Sequence, residues 1–182
     1  MPTSKILEYN DKIFHHVVTM KTTVQSDTSP KQILIKDLRD FFVLPQKPED
    51  AGYYAYGTPS NGQGQFAHPK LISFILSVAN DWSETDRRLI GIGNISLAGG
   101  VKFNPHHGHM SGLEVDVRPL RKDGKNEAIS ITDAQYDHEG TKKLIALFLD
   151  SGKVQRVRFN DSAIPKVIFT PGHANHFHVD LS

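Results

Sequence analysis

The chain has 182 residues, 38% of them apolar and 23% charged, with a net charge of +1, which is the composition of one globular domain large enough to bury a core without disulfides. The near balance of charge gives no reason to expect a nucleic-acid partner, no stretch is apolar enough for a membrane span, and the lack of cysteine excludes a disulfide scaffold. The first thirty residues carry Asp11, His15 and His16 and no unbroken apolar run, so no Sec signal is expected and synthesis in the cytoplasm is.

In chain order, Ser29 and Pro30 ahead of KQILIKDLRDFFVL supply a cap and a first-turn proline before Ile33, Leu34, Leu38, Phe41 and Phe42, which predicts a helix ended by Pro45. The stretch from Gln46 to Gln65 is rich in Gly, Pro and Tyr and reads as loop. A second helix is expected to start near His68-Pro69, with Leu71, Ile72, Ile75, Val78, Ala79 and Trp82 on one face. Strand-like runs LIGIGNISL and GLEVDVRPL follow. A third helix is expected from Asp137 to Ser151, with Leu144, Ile145 and Phe148 inward and Gly152 as its stop signal. KVQRVRF, KVIFT and HFHVDL are the last strand-like runs. Short strands at hairpin-like spacing, with helices grouped before and between them, predict an α+β domain with a central antiparallel sheet flanked by helices.

Six of the ten histidines fall in two clusters: His106, His107 and His109 in PHHGHMSGLEVD, and His173, His176 and His178 in GHANHFHVDL. Neutral imidazole is a good zinc ligand, and Asp116 stands seven residues after His109. Structural zinc sites usually rely on thiolates, which this chain lacks, whereas three His/Asp ligands with one position left for water is the catalytic pattern. Strand alternation places the chemistry. In HFHVDL, His176, His178 and Asp180 point one way while Phe177, Val179 and Leu181 point into a core. In GLEVDVR, Leu113, Val115 and Val117 share the buried face and leave Glu114, Asp116 and Arg118 on the other. If the two strands are neighbours, Asp116 and His178 converge on one metal and His109 enters from the preceding loop.

Other chemistries find little support. His138-Glu139 is followed by Lys142 where a helical HExxH site needs histidine, and Ser111 in GHMSG misses the G-x-S-x-G elbow. Gly91 and Gly93 make an incomplete dinucleotide fingerprint and read instead as a close approach within a strand. His15, His16 and His68 read as exposed or capping residues.

His109-x6-Asp116 followed by His176-x-His178 resembles the signature of the zinc peptidase superfamily that groups lysostaphin-type enzymes, D-Ala-D-Ala peptidases and hedgehog domains. His106 and His173, each three residues ahead of a motif histidine, give HxxHxxxxxxD and HxxHxH, which resemble the penicillin-insensitive murein endopeptidases. Tyr54-Ala55-Tyr56-Gly57-Thr58-Pro59, HPKLISF and GIGNISLAGG are similar to that family too, so the likeness covers about residues 50 to 182. It implies one Zn2+ per chain held by His109, Asp116 and His178, with His176 as the catalytic histidine, His173 supporting it and His106 as an accessory histidine. Residues 46–182 are then a zinc peptidase domain and 1–45 an N-terminal extension, and for its stretch before Ser29 a hairpin, an arm or a targeting handle would each serve.

The implied activity is hydrolysis of D-amino-acid cross-links of peptidoglycan, with the D-Ala to diaminopimelate bond as the expected target. A D,D- or L,D-carboxypeptidase acting on stem peptides and a catalytically inactive zinc-stabilised binding module are the alternatives. The family is ordinarily exported. Without a Sec signal, the expected setting is a phage lysis or virion enzyme or a secreted antibacterial effector, acting on the cell wall in the periplasm after delivery or lysis. An immunity protein or delivery machinery would be its further partners.

Overall fold

The computed structural model describes residues 40–46, 48 and 50–182. Within them lie eight strands and two α-helices: β1 (Phe42–Val43), β2 (Tyr53–Ala55), β3 (Phe66–Ala67), α1 (Pro69–Ser83), β4 (Ile90–Ile92), β5 (Glu114–Val117), α2 (His138–Asp150), β6 (Val154–Phe159), β7 (Val167–Phe169) and β8 (Phe177–Leu181). No helix among the described residues is long and apolar enough to cross a membrane.

Both helices start as their sequences dictate. The His68 side chain accepts from the Lys70 backbone N–H, and Pro69 takes the first helical position, where a missing N–H is harmless. Asp137 caps α2 by accepting from the Gly140 N–H, and Glu139 in the first turn complements the helix dipole. The expected inward faces are buried in both: Leu71, Ile72, Ile75, Val78, Ala79 and Trp82 on α1, and Leu144, Ile145 and Phe148 on α2.

A six-stranded sheet runs in the order β2-β4-β5-β8-β6-β7. Its centre is antiparallel, as expected, because β8 pairs antiparallel with both β5 and β6, and β5 with β4. The outer pairs are parallel, β2 with β4 and β6 with β7, so the sheet as a whole is mixed. The chain returns from β2 to β4 through a crossover containing α1, which is what a parallel neighbour requires.

Two local expectations are corrected. Phe42 and Val43, assigned to the end of a helix, form β1 and pair antiparallel with β3; an aromatic and a β-branched residue just ahead of Leu44-Pro45 suit extended backbone. The rest of that expected helix lies outside the described residues. The stretch read as loop contains β2, whose Tyr53 is buried in the core while Tyr54 faces the other way.

One face of the sheet packs on the helices. Val115, Val117, Val157, Phe159, Phe177 and Val179 join the α1 and α2 side chains in one core cluster. Phe148 of α2 is its hinge-pin, with its ring 5.7 Å from Phe177 of β8 and 5.7 Å from Phe74 of α1, edge-on in both cases. The opposite face carries the charged residues of the same strands.

Candidate metal centre

The register of β5 against β8 sets Asp116 directly across from His178 and Glu114 across from Asp180. Side chains opposite each other on one face stand about 5 Å apart at Cβ. That is close enough for Asp116 Oδ1 to lie 3.0 Å from His178 Nδ1. His109 arrives from the loop ahead of β5, and its Nε2 is 3.3 Å from the same oxygen. The alternation read from the sequence therefore holds, and the two histidines meet at one carboxylate.

His109 is held in an unusual way. Its backbone is left-handed, φ 63°, a conformation that a residue with a Cβ adopts at a cost. The Glu114 carboxylate accepts its backbone N–H, and the ring Nδ1 contacts the Ile95 carbonyl at 2.9 Å. Donating Nδ1–H to that carbonyl leaves the lone pair of a neutral imidazole on Nε2, facing Asp116. The same contact between Glu114 and the loop relieves the otherwise unfavourable pairing of Glu114 with Asp180 across the strands. Asp180 in turn accepts from Arg156 at 2.7 Å and forms an ion pair with Arg158 at 2.8 Å.

Three further imidazoles surround the pair. His106 Nδ1 is 4.0 Å from Asp116 Oδ2, and its Nε2 is 3.0 Å from Asn94 Nδ2. His176 Nε2 is 3.8 Å from Asp116 Oδ1, and its ring lies 4.8 Å from that of His173. His107 is exposed. All six site residues read from the sequence thus converge within one cluster. A cavity of about 560 Å³, lined by residues including Thr58, Leu97, Phe103 and His106, opens beside it.

Electrostatics follow from this packing. Burial alone would raise the pKa of Asp116, but the hydrogen bond with His178 and the imidazoles of His109 and His176 beside it outweigh that and hold the carboxyl well below the usual carboxylate range. Burial pulls His178 down, yet Asp116 on one side and Asp180 on the other push it up to about 9. Burial lowers His106, His173 and His176 below the ordinary value of 6.5, partly offset by Asp116, so they are neutral at neutral pH.

The donor atoms of His106, His109 and Asp116 lie within 4.8 Å of one another, as do those of His109, Glu114 and His178, and either group can hold a metal ion. The set expected from sequence takes Asp116 from the first, His178 from the second and His109 from both. Two features fit a cation here. His109 Nε2 is buried without a hydrogen-bond partner among the described residues, and an imidazole lone pair 3.3 Å from a carboxylate oxygen repels it unless a proton or cation lies between. Ligands about 2.0–2.1 Å from a tetrahedral ion are separated from one another by roughly 3.3–3.4 Å, close to the spacings around Asp116 Oδ1.

Some contributors were not singled out from the sequence. Asn94, which touches His106 and accepts from the Thr58 N–H at 2.7 Å, lies in the family-like run GIGNISLAGG, but nothing in that run places it beside a histidine. Arg156 and Arg158 were findable, since alternation around the buried Val157 in KVQRVRF puts both on the site face. Tyr56, whose buried hydroxyl has no hydrogen-bond partner among the described residues, lies near enough for the Asp116 charge to reinforce the rise that burial imposes on its pKa.

The chain matches the family model described as penicillin-insensitive murein endopeptidase over residues 48–164, more than half its length. The match covers His106, His109 and Asp116 and ends before His173, so the second cluster is joined to the first by β8 pairing with β5. No curated protein matches the chain.

Proposed function

Since the chain belongs to the penicillin-insensitive murein endopeptidase family, we propose that it is a zinc peptidase that hydrolyses D-amino-acid cross-links of peptidoglycan, with the D-Ala to diaminopimelate bond as its target. The observation that carries this reading is the meeting of His109 and His178 at one oxygen of Asp116, with His106 and His176 within 4.0 Å of the same carboxylate.

His109, Asp116 and His178 would hold the zinc, which when bound supplies an activated water with a pKa near about 7 and a Lewis acid for the scissile carbonyl. His178 is oriented for this by Asp180, whose Oδ1 lies 3.5 Å from the Nε2 that faces away from Asp116. His176 is placed to take a proton and later deliver it to the leaving amine. Its burial keeps it neutral, hence able to accept, at the pH where the water is activated. His173 packs against His176 and limits the orientations of its ring. His106, steadied by Asn94, stands where the cavity beside Phe103 meets the site and so touches whatever lies in that cleft.

Digestion of purified sacculi, with mass identification of the released muropeptides, tests the assignment. Loss of cross-linked dimers with a matching gain of monomers is expected. Loss of terminal D-Ala alone would make the enzyme a carboxypeptidase, and binding to sacculi without products would make it a binding module. The place of action that this activity requires is the cell wall. Expression in a bacterial cytoplasm should therefore be tolerated, and fusion to a Sec signal should round or lyse the cells unless Asp116 is replaced by Ala.

A further inference from the structure

Arg88, Arg121, Arg156 and Arg158 are each neutralised by a carboxylate. Arg118, half-buried on the same sheet face two residues beyond Asp116, has no carboxylate partner among the described residues. Its guanidinium carbon sits 3.8 Å from the centre of the Tyr56 ring and 5.7 Å from that of Tyr54. Its polar contacts are long and neutral, 3.4 Å from Nη1 to Tyr54 Oη and 3.5 Å to the Asn126 carbonyl.

Three separate stretches of sequence build this arrangement. Tyr54 lies beside Gly91 in the β2–β4 register, and Tyr56 follows on the same face. A Cβ on Gly91 would come within 2.6 Å of Tyr54 Oη, and one on Gly93 within 2.6 Å of Tyr56 Oη. The two glycines of GIGNIS therefore let both rings lie across β4 to reach Arg118 on β5. Stacking on an aromatic face fixes the guanidinium plane while leaving its N–H donors open, and a planar fork of donors is the geometry that takes a carboxylate with two hydrogen bonds. A small pocket lined by Tyr54, Gly91, Arg118 and Lys125 opens at this point, adding a second cation.

Residues two apart on one strand face are separated by about 7 Å. In a peptide whose scissile carbonyl lies at Asp116, the carboxylate on the α-carbon bonded to the scissile nitrogen is the nearest substrate anion that can reach across that spacing. We infer that Arg118, stacked on Tyr54 and Tyr56, is a specificity-determining residue that binds the carboxylate of the amino acid supplying the leaving nitrogen. The inference rests on the peptidase reading and adds its substrate requirement: the leaving amino acid must keep a free α-carboxylate. Diaminopimelate in a cross-link and a terminal D-Ala in a stem peptide both present one.

The test pairs one substitution with one substrate change. Zinc-loaded wild type, Arg118→Met and Arg118→Lys are assayed on a cross-linked muropeptide dimer with the diaminopimelate carboxylate at the cross-link free or amidated, and on an uncross-linked stem ending in D-Ala-D-Ala. Wild type should prefer the free acid by about ten- to a hundredfold in kcat/KM, the range for a charge-assisted hydrogen bond. Arg118→Met should lose that preference and Arg118→Lys recover part of it, with zinc content and Tm unchanged. Cleavage confined to the stem peptide would assign the carboxylate to terminal D-Ala. Equal losses on acid and amide would overturn the inference and leave Arg118 a packing residue. Equilibrium binding of the same peptides to His176→Ala protein separates this from the peptidase reading. Arg118-dependent binding of the acid with no cleavage by wild type would keep the subsite and sink the endopeptidase, and acid and amide bound equally would sink the subsite whatever is cleaved.

Discussion

The two faces of β5 and β8 are almost equally hidden from solvent and held by opposite physics. On the helix side, Val115, Val117, Phe177 and Val179 are fully buried against α1 and α2. On the other side Asp116, His178 and Asp180 are 4%, 5% and 5% exposed. Burial of each large apolar side chain contributes about 1.5–3 kcal/mol, so the first face accounts for the stability of the strands. Buried charges gain little net stability even when well paired. The second face therefore contributes little net stability, and His109 Nε2, buried there without a hydrogen-bond partner among the described residues, leaves its pairing incomplete.

The largest expected separation of the two faces comes from Asp116→Ala. Activity should fall to background and metal analysis should show no bound zinc, with His109→Ala and His178→Ala behaving alike. Because a filled site stabilises the fold by ligand linkage, a chelator should lower the Tm of wild type and leave that of Asp116→Ala unchanged. Full zinc occupancy in any of the three variants would show that the wrong ligand has been named. Phe148→Ala attacks the opposite face. Losing a fully buried ring between α1 and β8 should cost about 3–5 kcal/mol, read by denaturant unfolding, while the folded fraction keeps one zinc per chain. Loss of metal affinity as large as the loss of stability would mean that the faces are not independent.

The polar face was the more legible one in the sequence. Alternation in GLEVDVR and HFHVDL is enough to put Asp116 and His178 on one surface, because period-two patterning and a single antiparallel pairing determine it. The helices were legible through their caps and apolar stripes. Partners contributed by backbone or by distant loops were not: nothing in the sequence says that the Ile95 carbonyl will take His109 Nδ1, that Glu114 will bind the His109 backbone, or that Asn94 will meet His106. β1 and β2 escaped for a different reason. Runs of two or three strand residues in Gly- and Pro-rich surroundings are too short to show any period, and only their tertiary pairing makes them strands.

Within the polar face, ligands and proton carriers should separate from each other. His176→Ala is expected to keep zinc and its Tm, with kcat/KM reduced on the order of a hundredfold or more, the usual effect of removing a positioned acid–base group. Normal turnover in this variant would transfer the role to His173 or Glu114. A variant that loses zinc instead would make His176 a ligand, and the 3.8 Å approach of its Nε2 to Asp116 would then mark a coordination contact.

The smallest effect is one of pH. Burial, the largest influence on His176, lowers its pKa below 6.5, with Asp116 opposing and His173, His178 and His106 reinforcing. A base works only when deprotonated, so activity is complete well above that lowered pKa and is lost as pH falls through it. The acidic limb of kcat/KM should therefore lie below 6.5, and a zinc ion beside the imidazole displaces it in the same direction, because a nearby cation disfavours the protonated ring. His173→Ala removes one of the neighbours that lower His176 and admits solvent beside its ring. The limb should then move upward towards 6.5 while zinc content stays constant. An acidic limb above 6.5 in wild type, or one that His173→Ala leaves in place, would show that the group titrating in the profile is not His176.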